Sequence, residues 1–447
     1  MKVLVNARHS AAATAHGGPI MARRHAEALQ RAGLQVVLAA PEKPQWPDPA
    51  HLMIAGYDAD PSPSRYVPAS RPNTGAERAF EALLETHRPD VVYDMGGPAW
   101  GVAAAARGAV PVVSSVAAYT WFCARDFLVD SNLRRCTGPE SLAKCFTCET
   151  RAHPLKRRLV QEALRYLDRA GCPPTWTDSA RLAPYRVWNE LAESRAYLER
   201  LRSGVDCFVI GDRQAREFFI ANGVPAAKIA YVPQCLPADA LVRRPHTEPR
   251  DDPTRPLVAA FVGRIDVEKG FHVLAHAYED LPDEAPIQLW VIHVTDATAE
   301  RVAPMFRDAA RFQRRLDAGD IRLIMPRTRD ELYSSMARAD VGIVPSIAYE
   351  SPSLAMMEFA AQGTPVIRSE SAGMEHVIQD GINGRTFPYG DASALSRILA
   401  QAAARRSEVA AWRERLPRID DDSVFAAALV DVFARLLQRA PRERSVA

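Results

Sequence analysis

Residues 257–281 read LVAAFVGRIDVEKGFHVLAHAYEDL, a buried-type strand, a loop with glycine at each end, and then apolar positions at helical spacing. A strand running through such a loop into a helix is the opening unit of a doubly wound parallel sheet. Just before it lies LPADALVRRPHTEPRDDPTRP (236–256), polar and rich in proline, which reads as a linker. On its far side the strand candidates are KVLVNA, LQVVLAA, DVVYDMG, VPVVSSV, DCFVIG and IAYVP. After it come LVAAFVG, IQLWVIHV, IRLIMP, DVGIVPS and PVIRS, again separated by helix-length segments. The pattern therefore runs twice. The expected class is α/β, with two doubly wound, Rossmann-like domains and ligand crevices beyond the carboxyl ends of their strands. Two such crevices facing across a cleft would place the site between the domains.

The 447 residues are ample for two cores, and a formal charge of +2, from 56 basic and 54 acidic residues, argues against a surface that tracks nucleic acid. Any anion site must be local. Only six of the basic residues are lysines, which makes Lys269 inside the quoted loop conspicuous. The amino terminus enters a strand directly, and no apolar run approaches the roughly 20 residues of a membrane span. A cytoplasmic protein is expected. Residues 118–204 are too long for a simple crossover and are read as an insertion. It holds the basic amphipathic stretch HPLKRRLVQEALRYLDRA (153–170), with Leu155, Leu159, Ala163 and Tyr166 near one face. This is either a plain surface helix or one that docks on a membrane surface or acceptor.

Arg264 and Lys269 lie in a strand-to-helix loop, where backbone amides, a positive helix end and two cations suit a diphosphate. An ordinary surface loop with two basic residues is the competing reading. The stretch YESPSLAMMEFAAQGTPVI (349–367) repeats the arrangement: Ser351 is expected to cap a helix with Pro352 at its first position, leaving the amides of Ser353 and Leu354 to an anion. Glu350 would precede that helix and Glu358 would sit in its second turn, roughly 10 Å further on. Such a separation prevents the two from sharing a proton and suits hydroxyl-rich groups on either side of a phosphate.

The GR-to-KG loop, the E-x7-E pair Glu350 and Glu358, the GTPVI that follows and DGINGRTFPYGD (380–391) together resemble the donor half of the family 4 retaining glycosyltransferases of the GT-B fold. The likeness covers most of residues 255–412. More loosely, HGGPIMARRHAEALQRAG (16–33) is similar to the family's glycine-rich loop and first helix, with Gly17 and Gly18 where backbone approaches phosphate or acceptor. The resemblance implies an amino-terminal acceptor-side domain over 1–240, a nucleotide-sugar domain over 255–412, and a last helix at 423–440 crossing back to the first domain. It implies Arg264 and Lys269 on the diphosphate with the Ser353 and Leu354 amides assisting. Glu350 would then bind donor-sugar hydroxyls, Glu358 the ribose, and the peptide around Arg327 would face the base. Transfer of the hexosyltransferase type would need no metal and would use a nucleotide-diphosphate sugar as co-substrate. The acceptor would be a glycan, a lipid-linked glycan or a small molecule, as in bacterial surface-glycan synthesis at the inner face of the membrane.

One departure weighs against turnover. The family commonly has His-Asp-Tyr after the fifth strand, and here VVSSVAAYTWFC (112–123) puts Ala117 and Ala118 at those places. A catalytically silent sugar-nucleotide-binding protein is thus the alternative.

Cys123, Cys136, Cys145 and Cys148 fall within one short stretch of the insertion, the last two as C-x2-C. Four thiolates so spaced in a reducing compartment read as a structural zinc site, with an iron–sulfur cluster or unligated thiols as alternatives. A subset of the family resembles this chain in that cluster. A redox protein is a third reading, but it leaves both anion sites unexplained. Cys172, Cys207 and Cys235 are scattered and read as small buried hydrophobes.

Overall fold

The structure is a computed structural model of the chain and describes residues 1–7, 17–41, 53–56, 73–96, 99–116, 119–123, 127–150, 162, 166, 183–244, 254–293, 297–350, 353–370, 373 and 375–438. Two compact units divide it. One comprises Met1–Ile210, Ala215–Val232 and Ala426–Ala447, and the other Gly211–Gln214 and Pro233–Phe425.

The first unit is built on a seven-stranded sheet in the order β3-β2-β1-β4-β5-β6-β7. Its strands are β1 (Lys2–Ala7), β2 (Gln35–Ala40), β3 (Met53–Gly56), β4 (Val91–Met95), β5 (Val112–Ser115), β6 (Cys207–Ile210) and β7 (Ile229–Tyr231). All neighbours are parallel. Helices cover a parallel sheet on both faces, which is why β4, VVYDM, is buried at every position. A polar network runs across three adjacent strands: Asn6 Nδ2 donates to Asp94 Oδ1 (2.9 Å), and Ser114 Oγ donates to Asp94 Oδ2 (2.9 Å). Trp121 Nε1 then donates to Ser114 Oγ at 3.0 Å, so the segment after β5 is tied back to the sheet.

Within the segment read as an insertion, the helix Ala183–Gly204 is the crossover to β6. It is anchored by Tyr197, whose hydroxyl donates to Glu77 at 2.6 Å. Most of the basic stretch 153–170 lies outside the described residues. Tyr166, expected on an apolar face, is helical and 72% exposed.

The second unit carries a six-stranded parallel sheet in the order β10-β9-β8-β11-β12-β13. Its strands are β8 (Leu257–Val262), β9 (Ile287–Ile292), β10 (Ile321–Ile324), β11 (Val341–Val344), β12 (Val366–Ser369) and β13 (Gly384–Phe387). Ahead of β11, the buried Asp340 carboxylate accepts from Arg255 (2.6 and 2.9 Å), Arg406 (3.1 Å) and the Val258 amide (2.8 Å).

Two features depart from the sequence reading. The edge strands β3 and β13 were not among the expected strands, being four residues each and without a long β-branched run. Residues 236–244, read as linker, are fastened to the second unit: Leu236 and Ala240 are fully buried, and Gln362 Nε2 donates to the Ala240 carbonyl at 2.6 Å. The helix Asp422–Leu437 begins in the second unit and continues in the first, where Phe433 lies edge-on to Tyr93 with ring centres 5.8 Å apart.

Candidate functional site

The second unit's site is built on two loops at the carboxyl ends of the neighbouring strands β8 and β11. The first, 263–270, ends at Gly270, which has φ +69° and precedes the helix Phe271–Glu279. A Cβ there would stand 1.9 Å from the Pro345 carbonyl oxygen, so glycine is what lets the loops meet. Beside it the Glu268 carbonyl accepts from the Ile347 amide (3.1 Å), the Ala348 amide (3.0 Å) and Ser346 Oγ (3.2 Å). Backbone bonding thus fixes where the next side chains point.

Those side chains are the ones the motifs singled out. Lys269 Nζ pairs with Glu350 Oε1 at 3.0 Å, and the same oxygen accepts from Ser346 Oγ. Arg264 pairs with Asp266 at 3.1 Å, and the other oxygen of that carboxylate accepts the Lys269 amide at 2.8 Å. Burial pushes the Asp266 carboxyl above its ordinary pKa, against the Lys269 amide and the Arg264 charge. Arg264 and Lys269 each keep about a third of their side chains exposed (36% and 34%), while their carboxylate partners are more sheltered, Asp266 at 17% and Glu350 at 9%.

The second anion cradle is displaced from its expected position. Ser351 and Pro352 lie outside the described residues, and the helix starts later, as Leu354–Ala361 with Ser353 at the N-cap. Its side chain makes no cap bond, so the amides of this first turn, Leu354 onward, carry the helix's positive end. Glu358 follows in the second turn and is buried. Arg327 stands two strand positions from β8, just past β10, and its amide donates to Glu331 at 2.7 Å within the cap of the helix Arg329–Arg338. That amide is therefore engaged within its own helix cap. In the first unit Gly17 and Gly18 open the helix Gly17–Arg31. Ala117 and Ala118 lie outside the described residues.

Sequence reasoning passed over three participants. Ser346 and Asp266 carry no signal beyond their types. Gly373, with φ +64°, was passed over although a Cβ there would come 2.7 Å from the Glu350 carbonyl oxygen.

Residues 17–235 match the family described as "Glycosyl transferase 4-like domain", and residues 256–405 match "Glycosyl transferases group 1". The chain belongs to the family 4 glycosyltransferases of the GT-B fold. Among curated relatives of this family member, D-inositol 3-phosphate glycosyltransferase of Xylanimonas cellulosilytica is 30% identical over 210 residues, 46% of this chain and 49% of that protein. Glycogen synthase of Mycobacterium tuberculosis is 29% identical over 231 residues, 50% of each. The chain spans about half the length of the curated relatives it matches. In fold it is similar to sucrose-phosphate synthase from Thermosynechococcus elongatus (TM-score 0.62, 18% identity, 97% of this chain and 98% of that one). It is similar also to Anabaena HepE in complex with UDP (TM-score 0.59, 13% identity, 97% of this chain and 99% of that one).

This glycosyltransferase-family chain carries its cysteine cluster differently from expectation. The four-thiolate cage is not formed: among the described residues, no three His, Cys, Asp or Glu side chains come together as metal ligands would. Cys123, Cys136, Cys145 and Cys148 instead line one pocket of about 110 Å³, together with Phe122 and Lys144. Burial pushes the Cys145 thiol up to about 11, with Cys136 and Cys148 adding to the shift and Arg195 and Lys144 opposing it. The segment also has apolar packing of its own. Phe146 packs edge-on to Trp188 at 5.6 Å, and the Cys136 amide donates to the Leu128 carbonyl at 2.8 Å. Cys207 is buried in β6 as a small hydrophobe, Cys235 is half-buried, and Cys172 lies outside the described residues.

Proposed function

We propose that this chain is a retaining glycosyltransferase that moves a hexose from a nucleotide-diphosphate sugar to a hydroxyl of a glycan, lipid-linked or small-molecule acceptor. The observation that carries the reading is the pair of part-exposed cations in the loop after β8, Lys269 on the sheltered Glu350 and Arg264 on Asp266. In this reading the diphosphate takes Arg264, Lys269 and the amides at the start of Leu354–Ala361. Glu350, released from Lys269, accepts hydroxyls of the sugar, and Glu358 accepts those of the ribose. The bond from the anomeric carbon to the leaving phosphate oxygen breaks. A bond from that carbon to the acceptor oxygen forms on the same face, and the acceptor's proton passes to the departing phosphate. Positive charge and amides placed where the phosphate gains charge lower the barrier, and no protein nucleophile or metal takes part in the step. The UDP in the HepE complex supports a nucleotide diphosphate as the guest. The relative named lipopolysaccharide core biosynthesis glycosyltransferase LpsE, from Rhizobium meliloti and 27% identical, supports a bacterial surface glycan as the acceptor class. Among the described residues no helix is long and apolar enough to cross a membrane; the cytoplasmic face is proposed from the surface-glycan reading alone.

The four-thiol pocket is proposed to take one zinc ion, with an iron–sulfur cluster as the alternative, which would draw the sulfurs together and stiffen the segment without entering the chemistry. Metal analysis of protein purified without chelator checks this. One ion per chain, lost in Cys145→Ser and Cys148→Ser but kept in Cys207→Ser, is the expected result. A protein free of metal with all four thiols titratable rejects it.

Ala117 favours a second reading, a protein that binds sugar nucleotides without transferring them. Calorimetry with nucleoside diphosphates and their sugar conjugates, followed by transfer assays on an acceptor panel, decides among the readings. Binding with transfer supports the enzyme, binding without transfer supports the silent protein, and absence of binding sinks both.

A further inference from the structure

Ser346 sits where β11 ends, 1% exposed, with one hydroxyl proton and two acceptors in reach: the Glu268 carbonyl at 3.2 Å and Glu350 Oε1. The Glu350 oxygen it contacts is the one that Lys269 holds. Consider the donor reading of this site, on which the inference rests. A diphosphate, with at least twice the charge of a carboxylate, draws Lys269 toward itself and strips Glu350 of its cationic partner. Glu350 must then keep its position with little help from water, since its side chain is 9% exposed. A buried carboxylate without a donor is costly and reorients toward whatever donor it finds. Ser346 is the neutral donor already in place, and the amides of the next two residues, Ile347 and Ala348, stitch its segment to the loop that carries Lys269 through the Glu268 carbonyl. We propose that Ser346 is a positioning residue for the donor's sugar, holding the Glu350 carboxylate in register after Lys269 has moved to the diphosphate.

Two consequences separate this role from a merely structural one. The hydroxyl should matter to ligands that contain the sugar and hardly at all to the nucleoside diphosphate alone. It should also act through Glu350 and not beside it.

The test measures binding of a nucleoside diphosphate and of its hexose conjugate, with transfer kinetics, in wild type, Ser346→Ala, Glu350→Gln and the double variant. For Ser346→Ala, diphosphate affinity is expected to stay within about threefold of wild type, while kcat/KM for the sugar nucleotide falls about tenfold to a hundredfold, as for loss of a hydrogen bond to a charged group. The double variant should transfer no worse than Glu350→Gln, because the two changes remove one interaction. Ser346→Cys, close in volume but a weak donor, should fall between wild type and alanine, and it keeps the test open if Ser346→Ala does not fold. Wild-type transfer by Ser346→Ala, an equal loss of diphosphate and conjugate, or fully additive losses in the double variant would each overturn the role of Ser346. If the wild type itself binds no nucleoside diphosphate, the donor reading falls and takes this role with it. Wild-type binding combined with any of the three overturning results removes Ser346 alone.

Discussion

Lys269 and Glu350 are 3.0 Å apart, so each substitution at one changes the state of the other. Lys269→Ala removes the proposed phosphate ligand and is expected to weaken nucleoside diphosphate binding at least about tenfold, as for a charged hydrogen bond. Glu350→Ala frees Lys269 and is expected to leave diphosphate binding unchanged or tighter, while abolishing transfer. Calorimetry on both variants checks the split, and equal losses would refute the assigned roles. Gly270→Ala meets two obstacles at once, a positive φ and a contact of 1.9 Å with a backbone oxygen that cannot swing aside. Its expected cost is about 1–3 kcal/mol of stability together with loss of donor binding, read from denaturant midpoints and calorimetry. At this scale the sequence was informative where chemistry is rare. A lysine in an arginine-rich chain and two glutamates among apolar neighbours declare themselves. Ser346 and Asp266 do not, because serine and aspartate beside a turn are ordinary, and only the fold brings Ser346 onto a carbonyl 78 positions away.

Helix starts and short strands show what an element's own sequence leaves open. Ser351 followed by proline satisfies every local rule for a cap, yet the helix begins at Leu354 with Ser353 at its N-cap. The edge strands β3 and β13 contain too few residues for periodicity to speak, and the strand beside each one decides its state. The cysteine segment was read from its thiol spacing, which gives no sign that Phe146 packs against Trp188. The element most exposed to a single change is β11, whose approach is secured by Asp340, 1% exposed and bonded to two arginines and an amide. Asp340→Ala strands both guanidinium groups against a buried site and is expected to cost about 3–5 kcal/mol, checked by urea unfolding. A loss below 1 kcal/mol, roughly that of an exposed pair, would show that these arginines find other partners.

Across the whole molecule, the helix Asp422–Leu437 ties the chain's end to its beginning. Leu429 and Phe433 are fully buried, and Phe433→Ala is expected to destabilise the first unit by about 3–5 kcal/mol, seen as loss of protection in hydrogen exchange there. Hydrogen exchange can also locate the ligand: a nucleoside diphosphate at about 100 times its Kd should stabilise the folded state by about 2.7 kcal/mol, with protection centred on residues 263–270 and 345–358. Protection confined to the first unit would contradict the donor assignment. The alternation of strand and helix patterns, its restart after residue 256 and the spacing of Arg264, Lys269, Glu350 and Glu358 were set by the sequence alone, because periodicity, rare residue types and motif spacing are local properties. Only the tertiary structure decided that Lys269 rests on Glu350, that Ser346 shares the same oxygen, and that four cysteines line a pocket without closing into a cage. The first is a distance between segments 81 positions apart, and the other two depend on how a loop and a short segment are folded back on themselves; packing, not local preference, sets such distances.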